Sequence, residues 1–331
     1  MRMLWQAVRN WCHEILDIWN QFWFTPTDPA MLSLIRILAG LMLFYTHLVW
    51  SFDLEAFMGQ GGWISTDLLG QMWNEQQLAG ERVYFWSHLF WIQSPVLLWI
   101  VHIVSLIIFA MFTVGLFSRV TAVLTFLLTV SYIHRASGAL FGLDQINAML
   151  ALYLMIGPCG ARYSIDRWRK RRKEAGASKE VGLTISGNVA IRLIQIHMCV
   201  IYFYAGTRKL LGASWWDGSA MWLSAANYEY QSIDLTWLAN WPLLGIALTH
   251  LVILFEVFYC VLIWNRLTRP VILFLVIVMH LGIASCMGMI TFGLAMIVGN
   301  LAFISPAIVR GILERRGSSK QAAALATEGR G

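Results

Sequence analysis

The chain is 331 residues long, with 58% hydrophobic and only 13% charged residues and a formal net charge of +6. Soluble domains are about half apolar and a quarter charged, so this balance excludes an ordinary soluble domain and points to a polytopic membrane protein. The excess positive charge gathers in short stretches between apolar runs, where it reports topology, and no nucleic-acid partner is expected.

Residues 1–24 place Trp5, Val8, Cys12, Ile15, Leu16, Trp19, Phe22 and Trp23 at roughly helical spacing, with charged residues between them. This predicts an interfacial amphipathic helix that stays on the chain, because the segment lacks the apolar core and cleavage site of a signal peptide. Pro26 and Pro29 end it, and a transmembrane domain is expected over residues 25–310. Apolar runs at 31–50, 94–116, 120–136, 144–158, 188–206, 242–264, 270–287 and 289–306 predict an all-α bundle of about eight transmembrane helices. Residues 51–92 and 207–241 read as loops, the first with interfacial helices. The residues from 311 to 331 are polar and rich in Ala and Gly, which predicts a disordered tail.

The densest positive run lies at 162–173. By the positive-inside rule it marks the cytoplasmic side, placing both termini in the cytoplasm and Lys209 on the opposite, non-cytoplasmic face. A solvated linker and a contact for anionic lipid are both open readings of this run. The five cysteines are scattered singly, with no metal-ligand spacing, so free thiols and no metal site are expected.

A charged group at the bilayer centre costs about 2.5–3.5 kcal/mol even on insertion scales, so each one asks for a partner or a function. Arg36 can snorkel to the surface or pair with a buried acid, and Glu256 is a suitable partner for a buried cation such as Arg192. His47, His250 and His280 lie within apolar runs, where a histidine serves packing as readily as chemistry. Arg208 and Lys209 stand where an apolar run gives way to a loop. Two readings fit Lys209: a cation snorkelling into the headgroups, or a desolvated amine acting as a base, with His47 at a compatible depth to orient it.

The run Tyr202-Phe203-Tyr204-Ala205-Gly206-Thr207-Arg208-Lys209-Leu210, followed by Ser214-Trp215-Trp216-Asp217-Gly218, resembles the lysine-bearing segment of the vitamin K-dependent gamma-carboxylase family and its bacterial relatives, the horizontally transferred transmembrane (HTTM) domain proteins. The resemblance extends to Ser33–Gly40 with Arg36, to Gly138–Pro158 with the following Arg162–Trp168 motif, to Glu256, and to Met279-His280 with Phe303-Ile304-Ser305-Pro306.

The resemblance implies an integral membrane enzyme that uses a reduced quinone (a vitamin K-type hydroquinone) and oxygen to generate a strong base. That base removes a carbon-bound proton before carbon dioxide adds. It places Lys209 as the base and His280 near the cavity, with Trp215 or Trp216 at the family's tryptophan; Arg208 and His47 are expected to line the cavity too. The sequence departs from the carboxylase in carrying Asp144-Gln145-Ile146-Asn147 where that enzyme has a histidine, and in ending soon after the last span. The expected substrate is accordingly a small molecule, lipid or short peptide rather than a protein glutamate. Two other roles fit the composition: a non-catalytic membrane protein that binds lipid or peptide, and a proton-coupled carrier using His250, Glu256 and His280.

Overall fold

A computed structural model describes residues 1–80, 84–173 and 180–313. The described residues are helical and irregular, with no β-strand beyond an isolated bridge between Thr27 and Thr184. The α-helices in chain order are α1 (Arg2–Phe24), α2 (Ala30–Trp50), α3 (Leu54–Met58), α4 (Thr66–Leu78), α5 (Pro95–Val114), α6 (Ser118–Arg135), α7 (Gly142–Ile156) and α8 (Ile165–Lys173). They continue with α9 (Ile185–Lys209), α10 (Ala213–Trp216), α11 (Ala220–Ala225), α12 (Pro242–Leu262), α13 (Arg269–Cys286), α14 (Ile290–Asn300) and α15 (Pro306–Leu313).

Each of the expected apolar runs is helical, and five helical stretches are long and apolar enough to cross a membrane: Ala30–Met58, Pro95–Val114, Ile185–Lys209, Pro242–Leu262 and Arg269–Cys286. Ile290–Phe303 with Pro306–Leu313 makes a sixth if that broken pair is one span. The chain is therefore a multi-pass membrane protein, in which five or six of the eight expected spans meet the length and apolarity of a crossing on their own. Two of the expected runs account for the difference. Helix α7 has only 15 residues, short of the ~20 that cross a bilayer. In α6 the buried positions include Thr121, Thr125, Thr129 and Ser131, which lower its apolarity. Of the expected tail, residues 311–313 are described and helical, and the rest lies outside the described residues.

The described chain divides into two compact units. Unit 1 takes in the described residues of 1–140, 148–192 and 304–313; unit 2 comprises 141–147 and 193–303. In unit 1, α2 packs closely on α5 because Gly40 has no side chain: a Cβ there would stand 3.0 Å from the Thr113 Cα. One buried cluster of this unit gathers Leu54, Met58, Leu89, Leu98, Tyr132 and Ala136, and another gathers Leu43, Phe109 and Ala151. Arg135, fully buried, donates to the carbonyls of Met58, Gly59 and Ile64, and so ties the loop after α3 to the end of α6.

In unit 2, α13 and α14 form a hairpin around Gly288, whose φ of +68° suits a residue without a Cβ. Gly293 lets α14 approach α13 beside His280, since a Cβ there would stand 3.0 Å from the Ala284 Cβ. Among the described residues all five cysteines are free thiols.

Candidate functional site

Tyr202, Gly206 and Lys209 stand at i, i+4 and i+7 on α9 and therefore share one face of the helix. Gly206 sets how close α12 can come: an added Cβ would lie 2.9 Å from the backbone nitrogen of Val257 and 3.0 Å from the Glu256 Cβ. With that side chain missing, the Lys209 Nζ reaches the Glu256 Oε2 at 2.6 Å. The Glu256 side chain is 8% exposed and that of Lys209 22%. The ammonium also lies 5.2 Å from the centroid of the half-buried Trp215 ring on α10, within reach of its negative face. Lys209 is thus neither a solvated headgroup cation nor an isolated amine; it is half of a mostly buried ion pair.

Below the pair, a polar chain crosses the apolar interior of unit 2. Glu256 and Tyr259 are three residues apart on α12, and the Tyr259 ring stacks on that of Tyr202 with centroids 4.0 Å apart. The Tyr259 hydroxyl donates to the Asn300 Oδ1 at 2.6 Å. The Asn300 Nδ2 donates to the Tyr202 oxygen at 3.2 Å and to the Met296 carbonyl at 2.9 Å. The Tyr202 oxygen lies 2.7 Å from the His280 Nε2.

Asn300 donates to the Tyr202 oxygen, and in the arrangement where the Tyr202 O–H donates to Nε2 the imidazole carries its proton on Nδ1. That Nδ1 is buried and has no hydrogen-bond partner among the described residues. In that tautomer a buried N–H without an acceptor costs about 1–3 kcal/mol, which an oxygen placed beside it would recover. Asn147, on the part of α7 that belongs to unit 2, likewise keeps a buried Oδ1 without a partner.

The remaining predicted residues fall in different places. Arg208 is exposed and lies over the Tyr204 ring at 5.8 Å. Trp216 is 65% exposed and donates its indole N–H to the Leu210 carbonyl. His250 sits 2.9 Å from the carbonyl of Ile246 on its own helix. Glu256, expected to suit a cation such as Arg192, is paired with Lys209.

In unit 1, Arg192 lies over the Phe22 ring at 4.4 Å and donates to the Phe22 carbonyl. Arg36 has neither snorkelled nor paired with an acid: it is fully buried and donates to the carbonyls of Cys159 and Tyr163 at 2.9 and 2.6 Å. His47 is buried between Phe109, Tyr132 and Trp50, its Nδ1 at 2.7 Å from the Leu43 carbonyl. Beside it, His102 joins the Tyr132 hydroxyl and the Ser51 hydroxyl. Among the described residues no group of three or more His, Cys, Asp or Glu side chains could hold a metal ion.

A family model for the HTTM domain matches residues 24–307, nearly the whole described chain and every residue of the site above. The chain belongs to the HTTM-domain family. This is the family to which the Lys209 segment pointed, and the HTTM domain takes in both α9 with its lysine and the α13–α14 hairpin with its histidine. No curated protein and no solved structure matches the chain.

Sequence reading missed Tyr202, Gly206, Tyr259 and Asn300. Asn300 was the most visible of the four, a lone amide in the apolar run 289–306. Tyr202 stands two helical turns before Lys209, on the face that any partner of the lysine must meet.

Proposed function

We propose that this HTTM protein is a quinone-dependent, carboxylase-like membrane enzyme in which Lys209 and Glu256 act together on an acidic hydroxyl. The observation that carries the reading is the mostly buried 2.6 Å pair between them, in a domain family linked to vitamin K-dependent carboxylase. The residues present fit a reduced quinone: a carboxylate to receive a proton, an ammonium to hold the resulting anion, an unpartnered Nδ1 on His280 and the aromatic face of Trp215. When bound, a reduced quinone supplies, together with oxygen, the electrons and the strong base that proton removal from carbon requires.

The pair changes the role expected of the lysine. It offers an arriving hydroxyl two groups at once, the amine of Lys209 and the carboxylate of Glu256 2.6 Å away. The open proton acceptor is the Glu256 carboxylate. The Lys209 ammonium, with three N–H donors, then stabilises the negative oxygen left behind, and in a low-dielectric setting such stabilisation is worth more than it is in water. In its Nδ1–H form His280 would donate to a second oxygen, with Tyr202, Asn300 and Tyr259 holding the ring in place. The substrate class proposed is a small molecule, a lipid or a short peptide, with Arg208 and Trp216 at its approach.

Oxygen uptake and quinone epoxide formation by the purified protein, supplied with a reduced naphthoquinone, test this reading. Turnover is expected from the natural sequence and not from Lys209→Ala or Glu256→Gln. Absence of epoxide across several quinones, from protein shown to be folded, would overturn it and favour lipid or peptide binding or proton-coupled transport.

The membrane topology proposed has about eight crossings, with α6 and α7 spanning inside the bundle, both termini cytoplasmic and Lys209 on the opposite face. The positive charge of α8 supports it. Single cysteines at residues 171 and 217, labelled from outside intact cells, should react only at 217.

A further inference from the structure

Helix α8 is pinned at the end of a membrane-crossing helix. The Asp166 backbone N–H donates to the carbonyl of Gly115, the residue that ends α5, at 3.1 Å. Its carboxylate accepts from the backbone N–H groups of Phe117 and Ser118 at 2.9 and 2.7 Å, capping the first turn of α6. The acid of α8 is therefore engaged, while the helix carries six cations in nine residues. Among the described residues, Arg169, Arg171, Arg172 and Lys173 form no ion pair with a carboxylate.

These cations surround a shaped recess. An open cup of about 700 Å³ is lined by Phe117, Asp166, Trp168, Arg169, Lys170, Arg172 and Lys173. The guanidinium of Arg172 stacks over Trp168 at 4.3 Å and that of Arg169 over Phe117 at 5.8 Å, so both cations are held at the cup. Trp168 and Phe117 are 54% and 58% exposed, as aromatic rings are where they meet the acyl boundary. Phe117 is held with φ at +49°, a conformation that a bulky residue adopts only when its surroundings impose it. The hydrogen bonds that the Phe117 and Ser118 amides donate to Asp166 hold the backbone here, and the exposed ring forms one wall.

We propose that the cup formed by Phe117, Trp168, Arg169, Lys170, Arg172 and Lys173 is a binding site for the phosphate headgroup of an anionic glycerophospholipid. Charge complementarity selects the phosphate, and the paired exposed rings at the end of a span select a lipid over a soluble anion. Both oxygens of the one carboxylate in the lining face backbone amides, which limits its repulsion of a phosphate. The site lies within unit 1 and stands independently of the chemistry proposed at Lys209.

The test is lipid retention by the full-length protein in native mass spectrometry, from mixed micelles of phosphatidylglycerol or phosphatidylcholine. Phosphatidylglycerol should be retained and phosphatidylcholine not. Arg169→Gln with Arg172→Gln should weaken retention roughly thirty-fold, as expected for two cations near a membrane surface. Arg171→Gln, which removes one of the same charges outside the cup, should change it far less. These side chains are exposed, so the variants should fold, and an unchanged melting temperature in neutral detergent would check it. Equal losses per charge inside and outside the cup would overturn the site in favour of diffuse attraction. Equal retention of both lipids would overturn it outright, as would displacement of phosphatidylglycerol by millimolar inorganic phosphate.

Discussion

The Nζ of Lys209 meets the Oε2 of Glu256 at 2.6 Å because residue 206, one turn before the lysine on α9, is a glycine packed against the backbone of α12. A new Cβ would stand 2.9 Å from both the Cγ2 and the backbone nitrogen of Val257, and the backbone cannot rotate aside. Gly206→Ala is therefore expected to force the two helices apart, at a cost of about 1–3 kcal/mol. Thermal unfolding in detergent measures that cost, and turnover should fall with it. An alanine variant of unchanged stability and activity would show that the close approach is dispensable.

Removing one member of the ion pair should cost more than removing both. Lys209→Ala leaves the carboxylate of Glu256 buried without its cation, a change expected to cost roughly 3 kcal/mol. Pairing it with Glu256→Gln removes the stranded charge and should recover most of the stability but none of the activity. A base with no structural partner would give the opposite pattern, a stable Lys209→Ala. A thermal-shift double-mutant cycle distinguishes the two, with a coupling energy near zero counting against the pair.

Much of this site was legible in the sequence, and its connections were not. Lys209, Glu256 and His280 stand out because ionisable residues within apolar runs demand an explanation. Which of them meet is a matter of packing: Lys209 and Glu256 are 47 residues apart, and Arg192 was an equally suitable partner by composition. The helices were legible because apolar runs of that length fold this way in a membrane, whereas the number of spans was less so. The buried Thr121, Thr125 and Thr129 of α6 make it look less apolar than its neighbours. Arg36 and Arg135 find backbone carbonyls instead of acids, and carbonyls at helix ends and loops leave no mark in a sequence.

The Tyr202 oxygen lies 2.7 Å from the His280 Nε2, so if its O–H selects the Nδ1–H tautomer, Tyr202→Phe should release it. The substitution leaves the His280 Nε2 buried without its donor, while Asn300 keeps the Met296 carbonyl. A loss of about 1–3 kcal/mol is expected. If His280 works as an Nδ1–H donor, turnover should fall while quinone binding changes little. Nitrogen-15 spectra of labelled histidine should then show mixed Nδ1–H and Nε2–H forms in place of a single one. A single unchanged tautomer in the variant would remove the relay from the mechanism.

Asp166 predicts a specific response to acid at the membrane surface. Burial pushes its carboxyl up, but the hydrogen bonds from Ser118 and Phe117 and the charge of Arg169 outweigh it, leaving the group below the ordinary carboxylate range. A carboxyl held low in the folded state binds fewer protons there than in the unfolded chain, so its contribution is complete above about pH 5. That contribution is lost as the pH falls through the ordinary value and then the folded one. Asp166→Asn keeps an oxygen for one of the two amide hydrogens, sets its NH2 against the other, and cannot titrate. Its melting temperature should be lower than that of the natural sequence at pH 7, and the gap should narrow as the pH falls through the ordinary carboxylate value and then the folded one. A constant gap between the two curves would mean that the charge of Asp166 contributes nothing to holding Phe117 and the start of α6 in place.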